Sequence, residues 1–228
     1  MWNETRKMEL YEAIRGRRSI RKYLDKSVEY EKIAVVLEAG SHAPSSGDLR
    51  DFKFILVTKH ELIQEIAQNS TEQYWIETAP VLIVVCAETG RNKEYYGDRG
   101  EKLYSIQNSA AATQNMLLQA YEQGLSSCWI GSFDEEKIRI IIKAPENVRP
   151  QAILTLGYAD EEPKSKTEID IETLVRFEQY GQNVKEMQRL TKDYSKEWEE
   201  YVKKANIKKD NWLEQLKKYF ESFSKKKK

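Results

Sequence analysis

Apolar positions recur along this chain first at helical spacing, then in short runs, then at helical spacing again. Met8, Leu10, Tyr11 and Ile14 share one helical face and predict a helix that ends near Gly16. Ser27 reads as the cap of a second helix, with Glu29 and Glu31 in its first turn and Ile33, Val36 and Leu37 on its buried face, to about Gly40. Turn formers fill residues 42–48. Residues 52–58 (FKFILVT) predict a buried strand and residues 60–68 a short helix. Residues 80–87 (PVLIVVCA) predict a central strand covered on both faces. Residues 95–100 read as a polar loop with two glycines, and residues 102–123 as a long helix stopped by Gly124. A strand follows at 126–130, then a helix capped by Asp134 that reaches about Ile142, then a strong strand at 151–158. Helices and strands interleave, so a mixed sheet flanked by helices is expected.

The last part of the chain is different. Met187, Leu190, Tyr194, Trp198 and Tyr201 fall at spacings of three and four, and Trp212 or Leu213, Leu216, Phe220 and Phe223 repeat the pattern. Two amphipathic helices are the expected result, giving a body over residues 1–180 and a helical extension over 181–228. Charge divides in the same way. Acids and bases balance at 37 each, yet residues 181–228 hold 14 Lys/Arg against 8 Asp/Glu, so the body is acidic by six. A balanced total gives no reason to expect nucleic-acid binding, and a membrane surface is the less favoured partner for the basic tail.

Cys86 and Cys128 each lie in an apolar run, as buried reduced thiols do. The apolar run at 80–87 is far too short to span a bilayer, and Glu4, Arg6 and Glu9 interrupt any signal-peptide core. A soluble cytoplasmic protein is expected. No G-x-G-x-x-G follows a strand, no H-E-x-x-H or C-x-x-C is present, and there are two histidines, so metal catalysis is not expected.

The chemistry concentrates at residues 15–22, where four arginines, a lysine and a serine stand between two apolar segments. Guanidinium forks match phosphate oxygens two at a time, so this cluster suits a small dianion; a solvated basic turn is the alternative. Four stretches together, RRSIRKY (17–23), HAPSSGDLRDF (42–52), IQNSAAATQNMLLQA with GLSSCWIGSF (106–120 and 124–133) and ILTLGYADEEPKSK (153–166), resemble the FMN-dependent nitroreductase family. The resemblance implies an α+β fold with a mixed, mainly antiparallel sheet. It also implies a homodimer with intertwined subunits and FMN in each of two interface clefts.

The resemblance assigns the FMN phosphate to Arg17, Arg18, Ser19 and Arg21, with Lys164 or Lys166 as a second basic contact. It places Pro44, Ser45 and Ser46 against the flavin from the partner subunit, and Asn108 near it from the long helix. A solvent-facing Asn108 is the alternative. Ile130, Gly131 and Ser132 resemble the turn that offers backbone N–H groups to the flavin, while Trp129 reads as core. Asp48 stands where the family has Asn, and can pair with the flavin N3–H or with Arg50. Arg50-Asp51-Phe52 replaces a more usual Gln-Pro-Trp.

The activity implied is reduction of nitroaromatics, quinones or flavins by NADH or NADPH in a ping-pong reaction, with no side chain as catalyst because FMN carries the chemistry. Tyr74, Trp75, Tyr95 and Tyr96 are candidates to stack on a planar acceptor. Alternatives are a specialised relative, such as a dehalogenase-like enzyme, or a flavin-binding or interaction protein of low turnover.

Overall fold

A computed structural model describes residues 8–71, 73–163, 165–167, 169–176 and 178–181. The chain separates into two compact units, Met1–Lys166 and Thr167–Lys228. In the second unit the described residues hold one short helix, Ile171–Leu174. The two helices expected in the tail, and Lys164, lie outside the described residues.

The first unit opens with α1 (Leu10–Gly16) and α2 (Tyr30–Ser41), which precede strand β1 (Phe52–Val57). Next come α3 (His60–Gln68), β2 (Val81–Glu88), α4 (Thr89–Arg99) and α5 (Ser105–Glu122). Strand β3 (Ser126–Ile130), α6 (Glu135–Ile141) and β4 (Val148–Gly157) complete it. The four strands form one sheet in the order β1-β2-β4-β3, and every pairing is antiparallel. The parallel component of the expected mixed sheet reduces to an isolated bridge between Ser19 and Ser127.

Strand β2 shows why the unbroken apolar run was decisive. Residues Leu82, Ile83, Val84, Val85, Cys86 and Ala87 are all fully buried, and alternate side chains go to opposite faces. Leu82, Val84 and Cys86 join Ile63, Ile66 and Ile138 beneath α3 and α6. Ile83 and Val85 join Val36, Met116 and Leu117 beneath α2 and α5. Both cysteines are free and buried, and burial pushes the Cys86 thiol up to about 12.

Four expectations need correction. The cap of α2 is Glu29, one residue before Tyr30, and Ser27 lies outside the helix. The polar stretch 95–100 is the end of helix α4, followed by a π-helical turn, Gly100–Tyr104, that feeds α5. Gly97 carries a φ of 59° inside that helix, which is why its glycines look like loop residues in the sequence. Strand β4 begins at Val148, because the register slips between Val85 and Cys86 and so admits Pro150 to the strand. Trp129 is 38% exposed on the edge strand β3 and is not core. Asp134 caps α6 as expected, its carboxylate accepting from the Lys137 N–H at 3.1 Å, and Gly124 ends α5 at a φ of 70°.

No described helix is long and apolar enough to cross a membrane.

Candidate functional site

Arg17 to Arg21 are held by the end of α1 and by the edge of the sheet. Gly16 lets α1 approach α5 closely, since a Cβ there would overlap the Tyr121 hydroxyl. Arg18 turns back on its own helix, its Nη1 donating to the carbonyls of Arg15 (2.5 Å), Arg17 (2.9 Å) and Gly16 (3.1 Å). These satisfy carbonyls left open by the helix end. All three bonds leave from Nη1, so the other donors of this guanidinium keep their capacity.

The chain then runs along β3. Ile20 N–H donates to the Ser127 carbonyl at 3.1 Å, and Ile20 is buried while Ser19 and Arg21 face outward. That alternation is what an extended edge segment imposes. Arg21 lies over the Trp75 ring at 5.8 Å, and its N–H donates to Glu161 Oε1 at 2.5 Å. Burial raises the Cys128 thiol, while Arg21, the Ser19 hydroxyl and Arg17 act in the opposite direction. Beside them, a cavity of about 130 Å³ is lined by Arg17, Arg18, Ser126 and Ser127.

The sequence reading missed the acids at this edge. Lys22 pairs with Asp160 at 2.6 Å, and that hydrogen bond and charge raise the lysine's pKa. Lys166 is exposed.

At the far end of β3, Ile130 is buried and Gly131 is exposed. Ser132 donates through its hydroxyl to Thr71 Oγ1 at 3.1 Å and accepts at its carbonyl from Gln73 Nε2 at 3.0 Å. The basic cluster and this turn therefore lie along one strand.

The loop ahead of β1 is built differently. Gly47, Asp48 and Arg50 all have left-handed backbones, with φ of 57°, 53° and 46°. Two of the three are not glycine, and such strain persists only where the surroundings fix it. Pro44 is exposed, and the Ser45 hydroxyl accepts the Arg50 N–H at 2.9 Å. Asp48 and Arg50 form a forked pair at 2.9 and 3.3 Å, exposed to solvent. The Tyr96 hydroxyl stands where a Gly47 Cβ would be.

Asn108 is buried, which corrects the solvent-facing alternative. Its Oδ1 accepts from the Ser46 N–H at 3.0 Å and from the Ser46 hydroxyl at 3.3 Å, while its Nδ2 donates to Asp51 Oδ1 at 2.7 Å. Asp51 is fully buried and takes a second donor from Asn92 Nδ2. Burial pushes its carboxyl above the usual range, and the Asn108 bond, its own backbone, Arg91 and Asn92 pull back. The unusual Asp at position 51 was the available signal for this network.

The model of the Nitroreductase family matches residues 14–158. This chain belongs to that family. It is 35% identical over 170 residues to a protein of Methanothermobacter thermautotrophicus named as an NADH dehydrogenase/NAD(P)H nitroreductase, across 72% of this chain and 84% of the relative. It is 24% identical over 220 residues to an FMN reductase (NADPH) of Bacillus subtilis, across 90% of this chain and 88% of that protein. A solved FMN-dependent nitroreductase of Clostridium difficile R20291 superposes with a TM-score of 0.66 at 32% identity, over 75% of this chain and 99% of the other.

In this member of the family the expected site residues other than Lys164 and Lys166 fall into two groups. Arg17, Arg18, Ser19, Arg21, Ile130, Gly131 and Ser132 lie along β3. Pro44, Ser45, Ser46, Asp48 and Asn108 gather at the entry to β1. Strands β3 and β1 are the two edges of the sheet, three strand spacings apart, which is about 14 Å.

Proposed function

We propose that this chain is a homodimeric FMN-dependent NAD(P)H oxidoreductase whose cofactor sites are completed between subunits. Family membership supports the chemistry, and the two-edge division of the site residues carries the dimer. Neither edge alone holds both a phosphate cluster and a polar loop for the flavin. A second copy would bring the loop of one subunit to the basic edge of the other, a closed two-fold arrangement. The exposed apolar residues Leu10, Tyr11 and Ile14 on α1, between 45% and 68% exposed, fit the same reading.

The residues present fit FMN. Arg17, Arg18, Ser19 and Arg21 would hold the phosphate: Arg17 and Arg18 line a cavity of about 130 Å³, and Ser19 and Arg21 are exposed on the same segment beside β3. Ile130, Gly131 and Ser132 would offer backbone N–H groups to the ring, and Ser45 and Ser46 of the partner subunit would border it. Asp48 is already paired with Arg50 and is available only as an acceptor. When bound, FMN supplies two-electron redox chemistry between NAD(P)H and an electron-poor acceptor. We place donor and acceptor in the same pocket in turn, a ping-pong scheme, with nitroaromatics, quinones or flavins as acceptors. Tyr95 and Tyr96, both exposed on α4, are the rings that would meet a planar acceptor.

The test is the anaerobic visible spectrum of the purified protein, before and after NADH or NADPH. A flavin band bleached by one donor supports the reading and identifies that donor. A band that neither donor bleaches assigns a binding role instead. No band after incubation with FMN overturns the reading.

A further inference from the structure

We propose that Asp51 is a positioning residue that sets the Ser45–Ser46 loop through Asn108; its bearing on cofactor binding rests on the function proposed above. The buried carboxylate joins four parts of the fold. It sits at the entry to β1, its Oδ1 accepts from Asn108 on α5 at 2.7 Å, and its Oδ2 accepts from Asn92 on α4. Its own carbonyl accepts the Glu88 N–H, at the end of β2, at 2.7 Å. No cation forms an ion pair with it among the described residues.

An ionised carboxylate can only accept, so it dictates which end of each neighbouring amide faces it. Asn108 must turn Nδ2 toward Asp51, and its Oδ1 is thereby aimed at Ser46, where it takes both the N–H (3.0 Å) and the hydroxyl (3.3 Å). Ser46 opens the segment in which Gly47, Asp48 and Arg50 are left-handed. A loop with that backbone needs an external anchor, and this chain of bonds is the anchor that reaches it from the core. A buried carboxylate that Arg91 influences without forming an ion pair is a costly way to fill space, and setting one geometry among several is its best-attested use.

Asn92 separates an acceptor role from a charge role. Its Oδ1 is buried without a hydrogen-bond partner. After Asp51→Asn, Asn92 can turn that oxygen toward the new amide, and Asn108 keeps its orientation. After Asp51→Ala neither amide has a partner, and Asn108 is free to turn away from Ser46.

The test combines two readouts on the full chain. Hydrogen exchange of the Ser46 N–H in cofactor-free protein reports the loop directly. Quenching of FMN fluorescence gives the Kd. Exchange is expected to accelerate by about tenfold or more in Asp51→Ala and in Asn108→Leu, and to stay within about threefold of wild type in Asp51→Asn. FMN affinity should weaken by about tenfold in the first two and little in the third. Asn108→Leu, which keeps the bond between Asp51 and Asn92, serves if Asp51→Ala does not fold. Unchanged Ser46 exchange in folded Asn108→Leu overturns the proposal, and so does Asp51→Asn behaving like Asp51→Ala. Wild-type protein that takes up no FMN overturns the proposed function instead, while the exchange result still decides the role of Asp51.

Discussion

The two edges of this sheet carry the same task of presenting polar groups, and the chain solves it in opposite ways. Beside β3, the backbone does the holding: a strand-like segment is pinned by Ile20 N–H to Ser127, and Ser19 and Arg21 project outward. Ahead of β1, side chains do the holding: a left-handed loop hangs from Asn108, which hangs from a buried Asp51. The first arrangement tolerates change in any one side chain's geometry. The second depends on every member, because each buried amide left without its partner is destabilising.

The contrast can be broken most sharply at the basic edge. Removing Arg17 and Arg21 together, each to alanine, should weaken FMN binding by about 100-fold or more, since hydrogen bonds to charged groups are among the strong ones. The melting temperature of the cofactor-free protein should move little. A fluorescence titration and a thermal melt check both halves.

At the loop the expected pattern reverses, with stability affected first. Gly47→Val places a branched side chain at a φ of 57°, against the Tyr96 hydroxyl. We expect a fall in melting temperature of about 4 °C or more, read by thermal unfolding.

The Asp51 carboxyl gives a smaller, pH-dependent effect. Its folded pKa lies above the ordinary 3.8, so the folded state keeps its proton longer than the unfolded state as pH rises. The stability contributed by the neutral form is complete in acid and is lost from about the ordinary value up through the folded one. Asn92 and Asn108 face this carboxyl as neutral groups and Arg91 is its charged neighbour. The melting temperature of Asp51→Asn minus that of wild type should therefore grow as pH rises through that window. A difference that stays flat would contradict the assignment.

The smallest effect belongs to the exposed Asp48–Arg50 pair. Arg50→Ala should shift the melting temperature by less than about 2 °C, as surface ion pairs contribute little.

The same contrast explains what the sequence made legible. Arg17, Arg18, Ser19 and Arg21 were readable because charge between apolar segments is a local signal, and β2 because an unbroken branched run has few other uses. Strand β1, helix α3 and the Asp134 cap were readable on similar local grounds. Helix α4 was hidden because Gly97 and Gly100 mark a kink and a π-turn within a helical stretch, and not a loop. Trp129 was misplaced because edge position, unlike apolarity, is decided by strand order. The Asp51 network was hidden for a deeper reason: its members at 46, 51, 92 and 108 meet only after α4 and α5 have packed on β1. The substituted Asp was visible, but its partners were not.

The central claim is that the two edges complete one site only across two subunits, and mixed dimers test it most directly. One chain would carry Arg17→Ala with Arg21→Ala and the other Ser46→Trp, each variant alone having lost FMN. A shared site predicts that co-expressed mixed dimers regain wild-type affinity at half the sites, with about one FMN per dimer, because one cleft then collects both lesions and the other none. Mixed dimers with no site of wild-type affinity would contradict the account, since each chain would then be building its own site with its own lesion.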